Sequence, residues 1–226
     1  SESMKVPVLL RIVTRLAHSR AAVEVGELNN ENALNPSTDQ WVLLPGIARK
    51  KYVDLLGKQA EFEKASETSA YNKKETAGQK VGIIACGIGY NYVKENVGDN
   101  ADILKISQYP LSPKAIKAFA AEHESILVVE DGQPVVEEAI AGMVGADYPI
   151  KGRLTGDLPR RGELTPDCVA KALGKPAGPA FDNAKNLAGR PPQLCQGCGH
   201  RDVYTALNEV LATYPDYRVF GDIGCY

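Results

Sequence analysis

The chain has 226 residues, 24% of them charged and 44% hydrophobic, with a formal net charge of -2. That balance excludes disorder as the default state and a polyanion-binding surface, so nucleic acid is not an expected partner. No apolar run approaches the roughly 20 residues that span a bilayer, and SESMKVPVLL lacks the layout of a secretory signal, so a cytoplasmic protein without a membrane partner is expected.

Near the start, Val6, Val8, Leu9, Leu10, Ile12 and Val13 form a short apolar run that predicts a fully buried strand. Such a strand needs neighbours on both sides, so the chain is expected to begin inside a domain. Thr14, Arg15, His18, Ser19 and Arg20 follow it. Two arginines, a histidine and hydroxyls at a strand's carboxyl edge suit a carboxylate substrate, which makes Thr14, Arg15 and His18 candidate catalytic residues; a solvated loop with a helix cap fits the same composition. Residues 26–48, rich in Asn, Pro, Gly and Ser and holding Trp41, read as an irregular connection. From Ala48 to about Glu75, Tyr52, Val53, Leu55, Leu56, Phe62 and Ala65 recur at helical spacing and predict an amphipathic helix.

Between Lys80 and Gly142 strand-like and helix-like segments alternate: VGIIAC, YNYVKENV, DILKIS, SPKAIKAFAAEH, SILVVE and PVVEEAIAGM. Three βα units in succession predict a doubly wound α/β fold on a parallel sheet. Ser112 before Pro113 marks a helix start, as does Thr165 before Pro166. Gly87-Ile88-Gly89 after a strand superficially suits a dinucleotide turn, but Tyr92 stands where the third glycine belongs and Ser107 where a ribose-binding acid would be. A tight βα turn is the better reading. Glu130-Asp131-Gly132 closes the third strand at an edge where ligands often sit, though Asp-Gly is also a routine turn. His123, at a polar helix exit, is expected on the surface. Gly174 to Pro192 reads as a linker, followed by a helix from about Arg201 to Ala212, with Val203, Leu207, Val210 and Leu211 inward, and a strand YRVFGD.

Five cysteines, two of them in a CxxC, fit reduced thiols better than a disulfide framework. In Cys195-Gln196-Gly197-Cys198-Gly199-His200 a glycine-containing turn can point both sulfurs the same way, and Cys225 follows in GDIGC. A thiolate-held cluster normally takes four sulfurs, so three readings stay open: a fourth ligand beyond Tyr226, a zinc site using His200, or free thiols in a turn. Cys86, in a strand, and Cys168, in a helix, are expected to be small core residues.

GDLPRRGELTPD, RPPQLCQGCGHR and FGDIGCY occur in that order. With YPLSPKAIKAFAAEHESILVVED, they make the chain, from Val6 to Tyr226, resemble the large (alpha) subunit of indolepyruvate:ferredoxin oxidoreductases. The family usually carries Cys-Pro-Gly-Cys-Pro-His where this chain has Cys-Gln-Gly-Cys-Gly-His; without the prolines the turn is freer. The resemblance implies a transketolase C-terminal-like domain flanked by parts of two thiamine-diphosphate-binding α/β domains. Residues 1–25 would close the pyrimidine domain, 26–78 connect, 79–157 form the transketolase-like domain, 158–189 link, and 190–226 open the diphosphate domain. It also implies thiamine diphosphate, Mg2+ and [4Fe-4S] clusters, a smaller beta subunit, ferredoxin, coenzyme A and an aryl 2-oxo acid as cofactors and partners of the whole enzyme. Cys195, Cys198 and Cys225 match cluster ligands, and His200, Gly224 and Cys225 match positions near the cofactor. The magnesium-binding Gly-Asp segment would lie downstream, since Gly221-Asp222 belongs to the earlier GDIGC turn, so these residues alone are expected to be inactive. A sister enzyme acting on pyruvate or another oxo acid, or a non-catalytic zinc module, are the alternatives.

Overall fold

In the computed structural model, residues 4–27, 42–178 and 193–221 are described, and the chain divides into two units, Ser1–Gly178 and Pro179–Tyr226. The described elements of the first unit are, in order, α1 (Thr14–Ala17), α2 (Pro45–Gly57), α3 (Gln59–Glu67), β1 (Lys73–Glu75), β2 (Val81–Cys86), α4 (Ile88–Val97), β3 (Asp102–Ile106), α5 (Pro113–Ala121), β4 (Ser125–Val129), α6 (Val135–Val144), β5 (Ile150–Lys151) and α7 (Pro166–Ala172). The five strands form one sheet in the order β1-β3-β2-β4-β5, parallel throughout except for the edge pair β1–β3.

The near-continuous apolar character of β2, β3 and β4 has a direct cause: both faces of the sheet are covered. Ile83, Ala85, Ile103, Leu127 and Val129 share one core with Tyr92 and Val93 of α4 and Val169 of α7. Ile84, Cys86, Leu104, Ile106, Ile126 and Val128 face the other way, onto Ile116 and Phe119 of α5 and Val136 and Ile140 of α6. Each fully buried side chain of this kind contributes about 1.5–3 kcal/mol. The connection from β2 runs to one neighbour, β3, and the next crosses to the other neighbour, β4. With crossovers of constant hand, that reversal sends successive helices to opposite faces, which is the doubly wound α/β fold. Leu158 and Leu164 are buried in the first core, so residues beyond the three βα units also pack on the sheet.

Local chemistry accounts for the helix starts. The Ser112 hydroxyl accepts from Ala115 N at 3.1 Å and Thr165 from Cys168 N at 3.3 Å, each just before a proline that needs no N–H partner. Gly87 turns with φ +53, and a Cβ on Gly89 would lie 2.6 Å from the Val129 carbonyl oxygen. The GIG sequence is thus a tight turn and a close helix–strand contact.

Several expectations are overturned. The apolar run at residues 7–13 is irregular and pairs with no described strand; Leu9 is 93% and Leu10 89% exposed. Apolarity alone gave it no partner to hydrogen-bond. The predicted helix at 48–75 breaks at Lys58 into α2 and α3, and its last residues form β1, antiparallel to β3. Residues 217–221 are not a strand, and Phe220 is 94% exposed. His123 is not a surface residue: its side chain is 2% exposed, with Nε2 3.4 Å from Asp102 Oδ2 and Nδ1 2.7 Å from the Phe119 carbonyl. Trp41 lies outside the described residues.

In the second unit, the described residues form a turn at Cys195–Cys198 and α8 (Gly199–Leu211). Its apolar stripe is uncovered, with Val203 63% and Val210 58% exposed, so the inward packing expected for those side chains is absent among the described residues.

Candidate functional site

The two strands whose connections leave in opposite directions, β2 and β4, end side by side at Cys86-Gly87 and Glu130-Asp131-Gly132. This is the edge where doubly wound sheets place ligands. Across it runs the segment from Arg11 to His18. The Arg11 NH2 group donates to the Asp131 carbonyl at 3.2 Å, beside Gly132, whose φ of +85 is a left-handed conformation that favours glycine. Between segment and sheet edge lies an open hollow of about 710 Å³ lined by Arg11, Thr14, Arg15, His18, Asp131 and Glu163, with Ile12 and Val13 also on its wall.

The structure therefore brings Thr14, Arg15 and His18 together, but it engages Arg15. Its Nε and NH2 groups donate to the two Glu163 oxygens at 3.0 and 2.9 Å. Sequence reasoning missed Arg11, Glu163 and the role of Gly132. Arg11, Thr14, Arg15 and His18 do recur at intervals of three and four, and that spacing was the available signal.

Behind the hollow, the carboxylates are occupied. Glu130 accepts from Val136 N at 3.0 Å and Glu137 N at 2.9 Å, capping α6, whose own cap residue Pro134 offers no side-chain bond. Burial pushes its pKa up against those two bonds. Asp131 Oδ1 accepts from Gly132 N, Leu164 N and Arg153 NH2, at 2.9, 3.0 and 3.2 Å. Arg153 is itself buried and also donates to the Glu130 and Pro159 carbonyls. Glu130-Asp131-Gly132 is thus a structural corner that shapes the floor. Burial, with the Glu130 charge nearby, pushes the Cys86 thiol up to about 12 despite a bond from Tyr109, so Cys86 stays an inert core thiol. Cys168, half-buried against the other core, receives a bond from the Thr165 hydroxyl at 3.2 Å.

A smaller cavity of about 250 Å³ lies under the sheet edge beside α5, floored by Leu104 and Ile106. Its polar rim is internally satisfied, with Asn72 bonded to Ser66 and Gln108.

In the second unit, Cys198 N donates to Cys195 O at 3.2 Å, closing a turn in which Gly197 takes φ +76. Cys198 Sγ lies 3.4 Å from His200 Nδ1, and Cys195 is exposed. Gly224 and Cys225 lie outside the described residues. Two thiols and an imidazole suit part of a metal or cluster site, but among the described residues no three His, Cys, Asp or Glu side chains converge as they would on one ion. No described helix is long and apolar enough to cross a membrane.

No family model and no solved structure matches the chain. Curated relatives do. Indolepyruvate oxidoreductase subunit IorA of Archaeoglobus fulgidus is 35% identical over all of this chain and 39% of its own length. The proteins of the same name from Methanothermobacter thermautotrophicus and Pyrococcus abyssi are each 32% identical, again over all of this chain, and it covers 40% and 39% of them. The chain therefore belongs to the indolepyruvate oxidoreductase IorA subunit family, and it spans about two fifths of the length of these relatives.

Proposed function

We propose that this chain is part of an oxidoreductase that oxidatively decarboxylates aryl 2-oxo acids such as indolepyruvate to acyl-coenzyme A and passes the electrons to ferredoxin. The observation that carries this reading is identity along the whole chain to proteins named indolepyruvate oxidoreductase subunit IorA. The hollow at the sheet edge supports it, because guanidinium, hydroxyl and imidazole groups beside an apolar wall suit an aryl acid. A smaller beta subunit, coenzyme A and ferredoxin complete the reaction, and the setting is cytoplasmic.

Cys195 and Cys198 fit as two ligands of a [4Fe-4S] cluster, with Cys225 as a third: the turn holds the first two close together and leaves Cys195 accessible. A bound cluster would accept electrons singly. Among the described residues no group of three His, Cys, Asp or Glu side chains is arranged to hold the Mg2+ that thiamine diphosphate would bring. What this part of the chain does is hold the acid at the mouth of the sheet and position a thiolate turn.

The test is anaerobic purification of the full-length subunit with its partner, followed by a panel of 2-oxo acids. Indolepyruvate- and coenzyme A-dependent reduction of ferredoxin, with iron present, is expected, and these 226 residues alone should be inactive. No turnover of any aryl 2-oxo acid would sink the reading, and preferential use of pyruvate would move it to a sister enzyme. His200 beside Cys198 favours one second reading, a zinc module, for which zinc without iron would be decisive.

A further inference from the structure

We infer that Arg11 is the cation that anchors the oxyanion of an aryl-acid ligand in the hollow, while Arg15 ties the crossing segment down; this rests on the function proposed above. Two guanidiniums line the space. Arg15 is committed, since both Glu163 oxygens take its N–H groups and cancel its charge. Every other carboxylate nearby is also engaged: Asp131 with Arg153, and Glu130 with the N–H groups that open α6. Arg11 alone among these cations meets only a neutral acceptor, the Asp131 carbonyl.

It makes no ion pair, although the Glu130 charge lies within Coulombic reach, and it stands at the mouth of a hollow lined also by Thr14 and His18. An unspent guanidinium fork recognises a carboxylate or a phosphate with two parallel bonds. Ile12 and Val13, on the same wall, supply apolar surface beside that charge, and Ile12 is 59% exposed. Charge next to apolar surface matches an aromatic carboxylate better than a bare phosphate.

The experiment is calorimetric titration of the full chain with indole-3-acetate, an aryl carboxylate that cannot turn over, and separately with inorganic phosphate. Saturable binding of indole-3-acetate is expected, weakened about tenfold or more by Arg11→Gln and much less by Arg11→Lys. Lysine keeps the charge and glutamine does not, while both lose the guanidinium bond to the Asp131 carbonyl, so a purely structural role for Arg11 would leave the two variants alike. Phosphate binding tighter than indole-3-acetate, and equally sensitive to Arg11→Gln, keeps the oxyanion anchor and reassigns the ligand to a phosphate group. The inference is overturned if Arg11→Gln binds like wild type or like Arg11→Lys, or if neither probe saturates. Indolepyruvate-driven reduction that persists with unchanged KM in Arg11→Gln sinks the anchor and leaves the function standing; no reduction by the wild-type enzyme sinks the function while the titration still decides the anchor.

Discussion

Asp102 shows how much a single carboxylate can organise. It is 3% exposed and accepts from the N–H groups of Ala77, Gly78 and Gln79 with His123 beside it, so one side chain fixes the loop that delivers the chain into β2. Burial alone would raise its pKa, but the three backbone donors and His123 more than offset that, and the net shift is downward. A lowered native pKa means that the contribution is present above the unfolded value of about 3.9 and is lost as pH falls through the lower native one. Asp102→Asn, which replaces one acceptor oxygen by an amide donor, should cost about 2–3 kcal/mol at pH 7. Urea unfolding at pH 6 and pH 3 should show that difference shrinking in acid. An unchanged gap between variant and wild type would contradict the linkage. None of this was legible in the sequence, where Asp102 reads as the polar start of a strand and His123 as a surface residue. Their partnership is made by the parallel pairing of β2 with both neighbours, and local pattern carries no trace of it.

At the scale of elements, the runs VGIIAC, DILKI and SILVV could be read correctly because a sheet covered on both faces demands apolar residues at successive positions. The same rule misread residues 7–13: a continuous apolar run is necessary for a buried strand but does not supply its hydrogen-bonding neighbours. β1 escaped detection for the opposite reason, since Lys73-Lys74-Glu75 on an edge needs no apolar character. Helix α4 adds a case where one atom decides the packing. Gly89→Ala would drive a methyl to 2.6 Å from the Val129 carbonyl oxygen, a rigid backbone group that cannot rotate away. The expected outcome is a loss of about 1–3 kcal/mol in chemical denaturation. Wild-type stability in that variant would show that α4 can lift off β4 without penalty.

For the whole molecule, family membership was legible from three ordered motifs, whereas the site was legible only in part. Thr14, Arg15 and His18 do meet around one hollow, but the partners that define it, Glu163 and Asp131, lie more than a hundred residues away in the chain. The cysteine turn belongs to a different unit, and the buried core clusters have no member beyond Val169 among the described residues. Metal retention and sheet stability should therefore be separable. In the full-length subunit purified anaerobically, Cys198→Ser should lower bound iron substantially, because the turn would keep one of its two adjacent thiolates. The same substitution should shift the unfolding of the α/β unit by no more than about 0.5 kcal/mol, the usual effect of a change remote from a core. Iron analysis and urea titration on the same preparation check both halves. Unchanged iron would remove Cys198 from the ligand set, and a large loss of sheet stability would show that the turn supports the core as well as any metal.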